Sequence, residues 1–200
     1  MLEKLFDLSG RVALITGGSK GLGKAIGRGY AEAGASIAIS ARNEAELAAA
    51  KAEIEDGLDI RCEYYVADMT DRSAVQQLGN QVLEQFGQVD ILVNNAGSND
   101  PQPLLEISDE SWDRIIELNL NSCMALARQL APGMVERNWG RIIHMSSIMG
   151  LTSNPGRGAY SATKSALIGM TRAHALELGP HDVTVNCIAP GPIMTDLPMN

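Results

Sequence analysis

The chain has 200 residues, 45% of them apolar and 20% charged, with a net charge of −8. That length suits one domain with a sizeable core, and a negative balance without a basic block disfavours a nucleic-acid partner. Cys62, Cys123 and Cys187 are scattered, odd in number and without CxxC or His spacing, which argues against zinc or a disulfide framework and for a reducing compartment. No segment approaches the ~20 apolar residues that span a bilayer, and the first residues carry no signal peptide, so a cytoplasmic protein with no membrane partner is expected.

Val12-Ala13-Leu14-Ile15-Thr16 reads as a short strand. It runs into Gly17-Gly18-Ser19-Lys20-Gly21-Leu22-Gly23, after which Leu22, Ile26, Tyr30 and Ala33 recur at helical spacing. Strand, glycine turn and helix form the setting of a dinucleotide-binding turn. Glycines let the backbone close on a pyrophosphate, which rests on the helix N-terminus. Residues 36–40 form a second strand, 44–55 an Ala- and Glu-rich helix, and 60–66 a strand ending near Asp68. A helix is predicted from Thr70 to about Phe86, with Asp68 as a candidate cap. Residues 91–93 are a short buried strand leading into Asn94-Asn95-Ala96-Gly97. Ser108 is a good N-cap for a long helix running towards Arg137, which Pro132 is expected to kink or interrupt. Residues 141–145 are a strand, 160–178 a helix and 183–188 the last strand. Such alternation predicts an α/β fold: a Rossmann-type doubly wound parallel sheet with right-handed crossovers in a three-layer α/β/α sandwich. A single dinucleotide-binding domain over residues 1–200 is expected.

The most telling pair is Tyr160 and Lys164, thirteen residues and more beyond Ser147. On a helix a spacing of four puts both side chains on one face, about 5–6 Å apart at Cβ. A free tyrosine titrates near ~10, and a neighbouring ammonium favours the phenolate, which suits general acid–base work at neutral pH. Alone the pair is a weak signal. With the glycine turn and the Asn94–Gly97 turn, the chain resembles the short-chain dehydrogenase/reductases along essentially its whole length. The family's TGxxxGxG falls on Thr16 to Gly23, its NNAG on Asn94 to Gly97, and its PG motif on Pro190-Gly191, followed by Ile193 and Thr195. The resemblance implies Asn119, Ser147, Tyr160 and Lys164 as catalytic residues, family spacing choosing Ser147 over Ser146. It implies a cofactor held by Gly17, Ser19, Lys20, Gly21, Leu22, Gly23, Asp68, Met69, Asn95, Ala96, Gly97, Tyr160, Lys164, Pro190, Gly191, Ile193 and Thr195, with Asp68 and Met69 at the adenine. It also implies a homodimer or homotetramer built on the helices that begin near Ser108 and Tyr160. No metal is expected, and His144 and His174 are read as strand-borne and helix-borne rather than as bases.

NAD sites carry an acid about 20 residues after the glycines, to hold the ribose 2′-hydroxyl. Here that position holds Ala41, followed by Arg42. A guanidinium binds a 2′-phosphate in a forked geometry, and Lys20 adds a second charge, so Arg42 and Lys20 point to NADP(H) in preference to NAD(H). For the small-molecule carbonyl or alcohol substrate, two subgroups are candidates: gluconate 5-dehydrogenases and 3-oxoacyl-acyl-carrier-protein reductases. The carrier-docking positions hold Asn138 and His181, with Arg137 and Arg141 nearby, and a negative chain steers poorly towards an acidic carrier. Polar Ser98, Asn99, Asp100 and Gln102 agree with a sugar-acid-like substrate. A non-catalytic NADP(H) sensor is the alternative of another class. The family's substrate-covering segment and seventh strand lie beyond Asn200, so a chain incomplete at its C-terminus is expected, with a true truncation as the alternative.

Overall fold

The computed structural model describes residues 6–193. β1 (Val12–Thr16), β2 (Ser36–Ala41), β3 (Cys62–Val66), β4 (Ile91–Asn94), β5 (Gly140–Met145) and β6 (Val183–Ile188) form one sheet in the order β3-β2-β1-β4-β5-β6. Every neighbouring pair is parallel. Six helices connect them: α1 (Gly21–Glu32), α2 (Glu44–Glu55), α3 (Arg72–Phe86), α4 (Asp109–Ile116), α5 (Ser122–Glu136) and α6 (Gly158–Leu178).

The period of two along each strand sends alternate residues to two separate cores. Leu14, Ala38, Leu92 and Ile142 face one way, onto Val75, Leu78 and Val82 of α3 and Leu126, Leu130 and Met134 of α5. Ala13, Ile15, Ile37, Ile39, Ile91 and Val93 face the other way, onto Ala31 of α1 and Leu47, Ala50 and Ile54 of α2. Burial on both faces explains why these strands read as near-continuous apolar runs. The fold is therefore the three-layer Rossmann arrangement expected from the sequence. The chain leaves β1 in one direction along the sheet and returns to β4 on its other side, so a crevice opens beyond the carboxyl ends of β1 and β4.

Local chemistry sets the helix starts. Asn43 caps α2 by accepting from the Glu46 N–H, and Ser108 caps α4 by accepting from Ser111 N–H. α3 begins at Arg72 rather than Thr70, because Asp71 is its cap and accepts from Ser73 and Ala74 N–H. Asp68 instead holds the preceding turn, its Oδ1 accepting from Thr70 N–H at 2.9 Å and Thr70 Oγ at 2.8 Å.

The long helix expected from Ser108 is divided, and not at Pro132. Helix α5 continues through Pro132 to Glu136. Pro132 and Arg128, whose carbonyl loses its donor, are both exposed, so water can satisfy that group. The interruption is a π turn over Glu117–Asn121 between α4 and α5.

Candidate active site

The carboxyl ends of β1 and β4 are tied together by two side chains. Thr16 Oγ accepts from Asn95 N–H at 3.1 Å and Ala96 N–H at 3.0 Å, and donates to Val93 O at 3.4 Å. Asn95 Nδ2 donates back to Thr16 O at 2.9 Å and Gly17 O at 3.1 Å. Thr16 was not among the predicted cofactor residues, although it stands inside the motif that suggested them. Gly17 adopts φ +66°, a region that favours glycine. At Gly23 a Cβ would collide with Gly17 O and lie 2.6 Å from Asn95 Nδ2, so glycine is what lets α1 start directly against the turn.

The start of α1 is open to an anion. Lys20 at its N-cap makes no side-chain cap bond, and no acidic residue lies in the first turn. The orphan N–H groups there carry the positive end of the helix dipole. A pyrophosphate with a close-packed glycine turn beneath it fits these residues. Beside the turn, Ser19 Oγ donates to Glu46 Oε2 at 3.2 Å, and Lys20 Nζ lies 3.5 Å from Glu46 Oε1. Arg42 is exposed and makes no ion pair among the described residues. Leu22 is half-buried against the α1/α2 core. Met69 is buried in the opposite core, which would leave chiefly its backbone for an adenine, and the Asp68 carboxylate is engaged by Thr70 through Oδ1 alone.

A second cluster gathers beyond β5. Ser147 sits in extended backbone (φ −164°) at the start of the 3-10 turn Ile148–Gly150. Its Oγ accepts from Met149 N–H at 3.1 Å, which leaves the hydroxyl proton free to be donated. Ser146 is different: its hydroxyl donates to Lys164 O at 2.7 Å and ties the end of β5 to α6. That bond gives a chemical reason for choosing Ser147. Tyr160 and Lys164 occupy the first turns of α6, with Nζ 5.5 Å from the Tyr160 ring centroid. Lys164 is only 4% exposed. Its ammonium donates to Met145 O at 2.6 Å and has no carboxylate within 4.0 Å among the described residues. Burial pulls its pKa below the ordinary lysine range.

Asn119 reaches this cluster from the π turn. It is fully buried; its Oδ1 accepts from Ser98 N–H at 2.9 Å, and its Nδ2 donates to Ser98 O at 2.9 Å and to Thr163 Oγ at 3.2 Å. A Cβ on Gly97 would stand 3.1 Å from Asn119 Oδ1 and 3.4 Å from Lys164 Nζ. Gly97, Asn119 and Lys164 thus meet at one point. Pro190 O accepts from Ile148 N–H at 3.0 Å, which brings the Pro190-Gly191 segment beside Ser147. Ile193 is exposed, and Thr195 lies outside the described residues.

Two other sequence expectations are altered. Of the polar residues after the Asn94–Gly97 turn, Asp100 and Gln102 are engaged internally. Gln102 Nε2 donates to Asp100 at 3.0 Å and Arg114 donates to the same carboxylate at 2.8 Å. Asn99 Oδ1, by contrast, is buried without a partner among the described residues. Arg137 and Arg141 do not present free cations either. Arg137 donates to Val89 O at 2.9 Å and pairs with Asp90, while Arg141 stacks 4.3 Å from the Trp139 ring and donates to Gly140 O.

A family model described as short chain dehydrogenase matches residues 11–200. The chain belongs to the short-chain dehydrogenase/reductase family. Among its relatives is the 3-oxoacyl-(acyl-carrier-protein) reductase FabG of Thermotoga maritima, 35% identical over 190 residues, which are 95% of this chain and 77% of the relative. A solved structure of L-sorbose reductase from Gluconobacter frateurii, complexed with NADPH and L-sorbose, is 37% identical. It superposes with a TM-score of 0.92 over 96% of this chain and 73% of its own. A putative NAD(P)-dependent gluconate 5-dehydrogenase from Beutenbergia cavernae with bound NADP is 34% identical, with a TM-score of 0.90 over 96% of this chain and 76% of its own. This family member is an NAD(P)-dependent oxidoreductase that uses a nicotinamide cofactor. Among the described residues no helix is long and apolar enough to cross a membrane, and no group of three or more metal-ligating side chains is present.

Proposed function

We propose that this oxidoreductase interconverts a ketone and a secondary alcohol on a small polar, sugar-acid-like substrate, using NADP(H) in preference to NAD(H), as gluconate 5-dehydrogenases do. The observation that carries the chemistry is a buried lysine, unpaired by a carboxylate among the described residues, on the same helix face as Tyr160. In the reducing direction a bound nicotinamide cofactor would supply the hydride that the carbonyl carbon takes up. Tyr160 gives its hydroxyl proton to the developing alkoxide. The Lys164 ammonium, 5.5 Å from the ring centroid, stabilises the phenolate that remains, and its two donors not used by Met145 O can hold the nicotinamide ribose. Ser147, whose acceptor side is occupied by Met149 N–H, donates its proton to the substrate oxygen. Asn119 holds Ser98 and Thr163 in place, and with them the turn that ends at Gly97 and the start of α6. As an anchor for water, Asn119 would connect Lys164 to solvent.

The preference for a small substrate is supported by the internal engagement of Arg137 and Arg141, which takes these two cations away from docking an acidic carrier protein. Arg42 supports NADP(H), since it stands exposed, and unpaired among the described residues, directly after Ala41, the position where an acid would select NAD. The test is NADPH consumption by purified protein over a ketone panel containing 5-ketogluconate and a 3-oxoacyl thioester, with NADH and Tyr160→Phe alongside. Turnover of the sugar acid, lost in Tyr160→Phe and slower with NADH, is expected. Turnover of the thioester alone would move the substrate to the fatty-acyl class. Binding of NADPH without any turnover would favour a sensor.

A further inference from the structure

Glu46 stands at the third residue of α2, with Asn43 as the cap that accepts its N–H at 3.1 Å. That is the sequence of a capping box, in which the third-residue carboxylate normally returns to the backbone N–H of the cap residue. Here it does not. Both carboxylate oxygens turn to the glycine turn, Oε2 accepting from Ser19 Oγ at 3.2 Å and Oε1 lying 3.5 Å from Lys20 Nζ. Ser19 is buried, and the Glu46 side chain is partly exposed.

We propose that Glu46 is a specificity-determining residue that tempers the preference for NADP(H) by occupying Ser19 and Lys20, two of the donors a 2′-phosphate would use. The inference rests on the placement of that phosphate beside Lys20 and Arg42. With Glu46 in place the corner carries one net positive charge from Lys20, Arg42 and Glu46. A 2′-phosphate brings between one and two negative charges at neutral pH and three acceptor oxygens. To bond Ser19 and Lys20 it must displace the carboxylate or lie against it, and like charges a few ångströms apart repel. The 2′-hydroxyl of NAD(H) carries no charge and meets no such opposition. Glu46 therefore narrows the gap between the two cofactors while Arg42 widens it.

The test is equilibrium binding, followed by nicotinamide fluorescence, of NADPH and NADH to the wild type, Glu46→Gln and Arg42→Ala at low and high salt. Glutamine keeps an acceptor for Ser19 and removes the charge. Glu46→Gln is expected to bind NADPH about 5-fold more tightly at low salt, less so at high salt, with NADH within about 2-fold of wild type. A parallel change for both cofactors, or none for either, would show that Glu46 only tethers α2 to the glycine turn and would overturn the proposal. Arg42→Ala separates the two levels. If it weakens NADPH selectively while Glu46→Gln has no selective effect, the Glu46 role alone is lost. If Arg42→Ala is not selective, the phosphate does not sit in this corner and both inferences fall.

Discussion

Replacing Lys164 by Met should disable the enzyme and stabilise the empty protein. Lys164 is 4% exposed and, among the described residues, donates to one acceptor, Met145 O, with no carboxylate beside it. Losing that charge-assisted hydrogen bond costs about 1.5–3 kcal/mol. Removing an ammonium buried without a counter-ion relieves a penalty of several kcal/mol. Methionine fills similar space with an apolar chain, so the balance favours the variant by about 1–2 kcal/mol. For a chain of this size that is a rise in Tm of roughly 2–8 °C. The assay is thermal unfolding of both proteins, with and without NADPH, across pH. Because burial lowers the folded-state pKa of Lys164 from 10.5, the unfolded chain holds a proton that the folded chain has shed between the lowered value and 10.5. Stability then rises with pH through that window, and Lys164→Met should lack the rise. NADPH should raise the wild-type Tm and raise that of the variant less. A variant less stable than wild type at neutral pH would refute the reasoning and make Lys164 a structural lysine.

Gly23→Ala should abolish cofactor binding and lower stability by about 2 kcal/mol or more, since its Cβ has no room against Gly17 O and Asn95; titration with NADPH and a melting curve check both. His144 is fully buried, and burial lowers its pKa from 6.5 to about 4. The unfolded chain takes up a proton below 6.5 that the folded chain refuses until about 4, so stability is lost as pH falls through that interval, by up to about 3 kcal/mol. His144→Leu should flatten that acid slope in urea titrations. Asp90→Ala should cost about 3 kcal/mol, read as a shifted denaturation midpoint. It strands Val12 N–H, which donates to Asp90 at 2.9 Å, together with the cations of Arg11 and Arg137. The active-site end of the sheet is distant from it, so turnover at 25 °C should persist.

The strands were legible because burial on both faces makes them continuous apolar runs, and the glycine turn because only glycine tolerates its geometry. Tyr160 and Lys164 were legible because helical spacing alone brings them together. The π turn was not, since Leu118 and Leu120 carry the apolar pattern through it and hide the one-residue slip in period between α4 and α5. The one trace is Asn119 and Asn121 among Leu118 and Leu120, since asparagine is a poor residue for a helix interior. Asp68 and Asp71 both precede a helix, and composition could not say which would cap it. Nor could polarity distinguish Asp100 and Gln102, bonded to each other, from Asn99, left without a partner among the described residues. The Asn94 Nδ2 to His144 Nδ1 contact at 3.1 Å joins residues 50 apart in the chain, and only the register of β4 on β5 creates it.

The π turn holds one residue more than the α turn it replaces, and the helices on either side keep their facing. Leu126, Leu130 and Met134 are turned to the sheet with the extra residue present, and they would keep that facing if its loss were taken up within the turn. A chain shortened by one residue between Glu117 and Asn121 would therefore close into an ordinary helix over the same core, yet withdraw Asn119 from Ser98 and Thr163. A single deletion would then keep the packing of α5 while removing the side chain that ties Ser98 to Thr163, so such a step in a lineage would part the core from the placement of Asn119.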